Sequence, residues 1–424
     1  MGESDDLSLA AEPGAAARLA SLGELLQQVA FRFGEAGAMG VVLIDASSFS
    51  VIEKQFGGDA QEAALNRLGL LVRELVEDQL GIGDLVLSGE TGRNEIALLL
   101  FRDTAESRYY TRELPELERL IGEGLARRGG RVCYPHLRAT PPLQLGTGAA
   151  LRNPTARAET QLRQALDEAR SHAELKRRTE QRRRRKQLFE LVLTGQVRSV
   201  YEPIVEVATH TVFGYEALAR GPEGSELHSP AVLFSQADEE DLIFQLDCLC
   251  RRSGIAGARD LPGGARLFLN VRPTTIHDPA FKAEAITRTL AESRLRPSDV
   301  VFEISEQESI GNFEIFREVR DYYRRLGFQM ALDDLGVGYS SLESVLELEP
   351  EFIKVDRAFI SGIDSDERRQ ELLLSLTRVA ERIGARLIGE GLDTLEELAM
   401  LGKLGIPFGQ GWLFGKPTPL RHDL

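Results

Sequence analysis

Leu19, Leu22, Leu25, Leu26, Val29 and Phe33 recur at the spacing of one helix face, which predicts a packing helix near the start of the chain. From Met39 the pattern changes. Val41-Val42-Leu43-Ile44 is a continuous apolar run that ends at Asp45, as a buried strand does. A helical segment around Ala60–Leu80 follows, then strand-like Leu85-Val86-Leu87, a turn at Gly89–Gly92 and a second strand from Glu95 to Phe101. A hairpin mixed with helices predicts an α/β domain to about residue 150. Residues 156–196 read as one long helix, with Leu162, Ala165, Leu166 and Ala169 as its apolar stripe. Residues 1–15, polar and rich in Ala and Gly, are expected to lack order.

Beyond Val200 short apolar runs alternate with helical patterns such as Glu314–Leu326 and Glu367–Ile383. Each run ends in a polar or charged residue. Leu267-Phe268-Leu269 ends at Asn270, Val300-Val301-Phe302 at Glu303, and Met330-Ala331-Leu332 at Asp333 and Asp334. Phe352-Ile353 ends at Lys354, and Arg386-Leu387-Ile388-Gly389 at Glu390. Strand–helix alternation over this length predicts a TIM-like (β/α) barrel, in which strand ends meet on one face. Glu303, Asp333, Asp334, Lys354 and Glu390 would then converge. A single acid after a strand is ordinarily a helix cap; five charged sites in succession favour a shared centre.

The densest of these is Asp333-Asp334-Leu335-Gly336-Val337-Gly338, followed by Tyr339-Ser340-Ser341-Leu342, which reads as a helix entry with serines free to cap. Two adjacent carboxylates raise each other's pKa unless a cation sits between them. A pair of divalent ions would hold both ionised.

Composition narrows the class of function. The 424 residues carry 51 basic and 66 acidic side chains, a net charge of −15, which argues against broad nucleic-acid binding. A basic run, Lys176 to Lys186, lies within the long helix, but no aromatics interleave with it; it reads as a solvated, rigid helix between domains. Cys133, Cys248 and Cys250 have no disulfide or zinc spacing. No apolar run approaches the roughly 18 residues of a membrane span. Met1-Gly2-Glu3-Ser4-Asp5-Asp6 is acidic where a leader would be basic, so a cytoplasmic protein is expected.

Residues 39–155 resemble a degenerate GGDEF (diguanylate cyclase) domain. Asp45 stands at that family's first metal position, but the signature turn reads Gly92-Arg93-Asn94-Glu95-Ile96, with Asn at an acidic position and Arg in place of the second glycine. Glu53, Lys54 and Gly58 replace the residues that contact the nucleotide, and Gly81 lies near the inhibitory arginine's place. Two metals need carboxylates to hold them, so a regulatory or dimerising domain without cyclase activity is expected.

The second half resembles the EAL-domain cyclic-di-GMP phosphodiesterases. The motifs are Tyr215-Glu216-Ala217-Leu218-Ala219-Arg220, Leu269-Asn270-Val271, Phe302-Glu303-Ile304-Ser305-Glu306, the Asp333-Asp334 loop, Ile353-Lys354-Val355-Asp356, Gly389-Glu390-Gly391-Leu392-Asp393 and Gln410-Gly411-Trp412-Leu413-Phe414-Gly415-Lys416-Pro417. The resemblance implies that Glu216, Asn270, Glu303 and Asp333 hold one divalent ion, Mg²⁺ or Mn²⁺, and that Asp333 and Asp334 hold a second. It implies that Lys354 orients the attacking water, Glu390 acts as general base, and Arg220 grips a phosphate. Leu218, Asn270, Asp356 and Gln410 would touch substrate, with Glu216 at the same place, and Glu306 would steady the acidic loop. Leu335, Val337, Glu202 and Asp393 depart from the family's usual Phe, Thr, Gln and Glu.

The expected organisation is a disordered segment and helix (1–38), the degenerate domain (39–155), a linker helix (156–196) and the EAL barrel (197–424). The expected activity is hydrolysis of cyclic-di-GMP to linear pGpG. A cyclic-di-GMP receptor that senses without cutting is the alternative, and a protein-interaction scaffold is the third reading. A homodimer is expected, with a protein partner for the N-terminal domain.

Overall fold

The computed structural model describes residues 18–90, 92–137, 140–305, 313–335 and 341–420. The expectation for residues 1–15 falls outside them, as do Glu306 and the loop residues 336–340. The chain divides into two compact units, Met1–Arg183 and Arg184–Leu424.

In the first unit β1 (Gly37–Asp45), β2 (Leu85–Ser88), β3 (Glu95–Asp103) and β4 (Gln144–Leu151) form a sheet in the order β2-β3-β1-β4, with every neighbouring pair antiparallel. β1 is central and buried on both faces, which is why its sequence is apolar without alternation. On one face lie α1 (Leu22–Ala36) and the start of α5 (Ala158–Thr194): Leu22, Val29, Phe33, Leu162, Ala165 and Leu166 pack on Met39, Val41 and Leu43. On the other lie α2 (Ser50–Phe56), α3 (Gly58–Val76) and α4 (Leu114–Arg128), over Val42, Ile44, Leu98 and Leu100. α1 starts after Leu19 because Ser21 and Glu24 form a capping box there.

β4 has no strand signal of its own, since Gly146 and Gly148 interrupt it. Those glycines have a packing reason. A Cβ at either would lie 2.0–2.1 Å from the carbonyl oxygens of Ala169 and Ala165, so only glycine lets α5 rest on the strand. The basic run of α5 is laced to its own acids: Arg177 and Arg178 bond Glu174, and Arg183 bonds Glu180. No helix among the described residues is long and apolar enough to cross a membrane.

The second unit is a closed eight-stranded barrel: β5 (Arg198–Glu206), β6 (Val212–Arg220), β7 (Arg266–Asn270), β8 (Val300–Ser305), β9 (Gln329–Leu335), β10 (Phe352–Val355), β11 (Arg386–Gly389) and β12 (Phe408–Gln410). The expected barrel is therefore present, with one strand reversed. β5 runs antiparallel to both β6 and β12, while the other pairs are parallel. The cause is local. Only residues 207–211 join β5 to β6, too few for a parallel crossover, and His210 takes the left-handed conformation (φ +57°) that closes the hairpin.

Inside the barrel the two-residue period of a strand sorts side chains into layers. Ile204, Phe268, Val301, Ala331, Phe352, Ile388 and Phe408 fill the lower interior as one apolar cluster. Phe213 stacks on Phe408 at 4.2 Å, and the Arg386 guanidinium covers the Phe352 ring at 4.3 Å. Two residues further up each parallel strand stand Asn270, Glu303, Asp333, Lys354, Glu390 and Gln410. On reversed β5 the same step is taken backwards, from Ile204 to Glu202.

Candidate active site

Lys354 is the hub of that upper layer. Its Nζ lies 3.0 Å from Glu216 Oε2, 3.1 Å from Glu303 Oε1, 3.3 Å from Asp333 Oδ1 and 2.7 Å from Glu390 Oε1. Lys354 and Glu303 are essentially without solvent exposure, and Glu216 is buried. Asn270 Nδ2 donates to Glu216 Oε1 at 2.9 Å and to Glu303 Oε2 at 3.3 Å. Gln410 Nε2 bridges Glu216 Oε2 at 2.7 Å and Glu202 Oε2 at 3.0 Å. Asp334 follows in the left-handed conformation (φ +59°), and its N–H donates to Asp333 Oδ1 at 3.0 Å. This turn redirects the chain so that both carboxylates stay at the mouth.

The charges do not balance. Four carboxylates surround one ammonium, and removing carboxylates from water without a full complement of cations is costly. Burial pushes the Glu303 carboxyl well above the usual range, and Glu216 beside it adds to the shift. Burial, with the Asp333 and Glu216 charges, pushes Glu390 up to about 8 against the pull of Lys354. Asp334 is pushed up to about 6 by burial and then by Asp333, and burial raises Asp333 itself. Glu216 goes the other way. Burial opposes its charge, but Lys354 and the hydrogen bonds from Gln410, Lys354 and Asn270 hold it below the usual range. Lys354 is held well above its ordinary value, because the four carboxylates outweigh its burial.

This arrangement suits a hard divalent cation. Carboxylate oxygens of Glu216, Glu303 and Asp333 lie within 4.8 Å of one another, as do those of Asp333, Asp334 and Glu390. Glu303 Oε1 is buried without a hydrogen-bond donor among the described residues; the Lys354 ammonium is near but off the line of a bond. The cluster could hold a metal ion. Asn270 differs from the carboxylates, since it turns its nitrogen toward the acids and ligation requires the amide turned over.

The other expected residues divide between two rims. Leu218 and Arg220 line, with Asn270, a cavity of about 270 Å³; Arg220 Nη1 is bonded to the Ala219 carbonyl. Glu216, Glu390 and Gln410 floor a second cleft of about 210 Å³, walled by Glu202, Arg357, Asp393 and Trp412. Asp356 serves as a helix cap, accepting from the Ala358 N–H at 2.8 Å. Arg357 and Trp412 were not singled out as site residues from sequence, and Glu202 and Asp393 only as departures. The layer rule would have found Glu202 had the reversal of β5 been legible.

An eight-stranded α/β barrel with one reversed strand and an acid-rich mouth defines the class. Residues 185–417 match the family model described as "EAL domain", so the chain belongs to the EAL domain family. It is 30% identical over 231 residues to the probable cyclic di-GMP phosphodiesterase PdeG of Escherichia coli (strain K12), covering 53% of this chain and 45% of that protein. It is 32% identical over 235 residues to the cyclic di-GMP phosphodiesterase RocR of Pseudomonas aeruginosa, covering 54% and 59% respectively. The chain thus spans about half the length of these curated relatives. Among solved structures, the EAL domain of Xanthomonas citri FimX in complex with c-diGMP aligns with a TM-score of 0.53 at 20% identity. That alignment covers 58% of this chain and 98% of that one, a likeness of fold.

Proposed function

We propose that this chain is a metal-dependent cyclic-di-GMP phosphodiesterase that opens one phosphodiester bond to give linear pGpG. The observation that carries the reading is the four carboxylates around Lys354, Glu216 and Glu303 buried and Asp333 and Glu390 half-buried, an anionic excess that divalent cations would relieve. The activity named for the two curated relatives supports the choice of substrate.

In this reading Glu216, Asn270, Glu303 and Asp333 would hold one Mg²⁺ or Mn²⁺, and Asp333 with Asp334 a second. When bound, such ions lower the pKa of an attacking water and offset charge on the transferring phosphoryl group. Glu390 would take the proton from the attacking water as its oxygen bonds to phosphorus, the phosphorus–O3′ bond would break, and the departing O3′ would take up a proton from solvent to become the 3′-hydroxyl of pGpG. Lys354 positions Glu390 through their 2.7 Å contact and would help to orient the attacking water. Arg220 presents its planar fork to a phosphate. Gln410 orients Glu216 and, with Leu218 and Asp356, contacts the substrate. Glu306, the expected loop-steadying residue, lies outside the described residues.

We assign the first unit a regulatory role as a degenerate GGDEF-like domain, with residues 39–155 as that domain, 156–196 as linker helix and 197–424 as the EAL barrel. Supporting this, Asp45 and Glu95 face each other across β1 and β3, yet Glu95 is held by Arg170 at 2.6 Å. A homodimer in the cytoplasm, with its three free cysteines reduced, completes the proposal.

The test is product analysis with purified protein, cyclic-di-GMP and Mg²⁺ or Mn²⁺, beside Glu216→Ala. Metal-dependent pGpG from the wild type and none from the variant is expected. Tight binding without pGpG would replace the enzyme with a receptor.

A further inference from the structure

The upper layer of the barrel carries a further carboxylate that the proposed chemistry leaves unused. Glu202 stands where the EAL family's usual residue is Gln. On reversed β5 it lies directly across the antiparallel ladder from Glu216 of β6. Like charges opposed in this way repel. Glu202 is half-buried, and its side-chain hydrogen-bond partner among the described residues is Gln410 of β12. Burial pushes the Glu202 carboxyl upward, and the bond from Gln410 pulls it back.

The Gln410 amide has two protons, and both are spent on this pair of acids. One goes to Glu216 Oε2 at 2.7 Å, the other to Glu202 Oε2 at 3.0 Å. An ionised carboxylate accepts hydrogen bonds and donates none, so the amide nitrogen must face both acids. The orientation has a cost. Gln410 is 3% exposed, and its Oε1 is buried with no hydrogen-bond partner among the described residues. Turning the amide over would bring that oxygen against two carboxylates, so the pair of acids holds it as it is. A neutral amide at position 202 would lift the constraint, because it can itself donate to Oε1 of a turned-over Gln410. The backbone of Gln410 is held separately. Its carbonyl accepts from the Leu392 N–H at 3.0 Å, and it pairs with Ile204 on β5. Glu202 therefore governs the amide plane and not the strand.

That plane matters to Glu216. Asn270 donates to its Oε1 at 2.9 Å, while Lys354 at 3.0 Å and Gln410 at 2.7 Å share its Oε2. A Glu216 oxygen lies within 4.8 Å of oxygens of Glu303 and Asp333. We propose that Glu202 is a positioning residue for the divalent-cation centre: it claims one proton of the Gln410 amide and so fixes the other on Glu216, which holds that carboxylate toward Glu303 and Asp333. This rests on the reading of the cluster as a cation centre and not on the choice of substrate. Groups that orient a metal's ligands in this way act on its affinity.

The test is calorimetric titration of Mn²⁺ into four full-length proteins: wild type, Glu202→Gln, Gln410→Ala and the double variant. Thermal melts check that each is folded. Glu202→Gln keeps the volume of the side chain and is expected to weaken Mn²⁺ binding about tenfold. In the Gln410→Ala background the same change is expected to cost no more than about threefold, because the amide is gone and only the lost charge counts. The Mn²⁺ concentration that gives half-maximal pGpG formation should rise in step with Kd. Unchanged Mn²⁺ affinity in Glu202→Gln, or equal factors in the two backgrounds, overturns the positioning role and leaves the cation centre standing. No Mn²⁺ binding by the wild type overturns both.

Discussion

Two acidic centres in this molecule reach opposite electrostatic solutions. In the first unit Glu95 is buried at the β1–β3 pairing, and Arg170 of α5 answers it with two guanidinium bonds, at 2.6 and 3.1 Å, while also reaching Glu90 and Asp167. Hydrogen bonding to Glu95 raises the Arg170 pKa further, so the cation is permanent. In the barrel a single ammonium serves four carboxylates, and three of those carboxyls are driven upward, foremost by burial. A planar fork that matches its carboxylate closes a site. A point charge outnumbered by acids leaves room for further cations. The difference teaches that acid count alone does not identify a metal centre; the local ratio of acids to fixed cations does.

The sharpest way to break the contrast is to remove each cation. Lys354→Met in chelator should destabilise the barrel unit by about 3 kcal/mol or more, since buried carboxylates lose their partner. Mn²⁺ should restore part of that loss in urea unfolding. Arg170→Met should cost about 2 kcal/mol through the unpaired Glu95, with no recovery on adding Mn²⁺. Equal rescue of the two variants would erase the distinction.

A second contrast lies in pH. In ion-free protein Asp334 and Glu390 bind protons more tightly folded than unfolded, so the barrel gains stability below their unfolded pKa values. That stability is lost as pH rises through about 6 and about 8. Cations compete with those protons, so affinity for Mn²⁺ should climb across the same window and binding should release protons. Calorimetry in two buffers of different ionisation enthalpy should give different apparent heats; identical heats would contradict the assignment. The smallest effect is expected at the rim. Arg357→Ala removes an exposed pair with Asp393 and should change stability by less than about 1 kcal/mol in thermal melts.

The barrel was legible because its strands end where their character changes. Phe268-x-Asn270, Val301-x-Glu303, Ala331-x-Asp333, Phe352-x-Lys354 and Ile388-x-Glu390 each step from the apolar layer to the polar one. What sequence hid is equally specific. β5 looks like any other strand, and its reversal depends on a five-residue hairpin that periodicity does not report. β4 was masked by Gly146 and Gly148, whose purpose is to admit the backbone of α5. Arg170 carried no signal, since its partner Glu95 lies 75 residues away and only packing joins them. The wall formed by Arg357, Asp393 and Trp412 was hidden for the same reason: its members follow three different strands.

The central claim is that the acids around Lys354 bind divalent cations and use them to cut a cyclic dinucleotide. Equilibrium Mn²⁺ binding, followed in the same samples by pGpG formation, tests it most directly for the wild type and Asp333→Asn. Saturable Mn²⁺ uptake with turnover in the wild type, and loss of both in the folded variant, is the predicted result. Equal Mn²⁺ uptake by the two proteins, or pGpG formed undiminished in chelator, would contradict it.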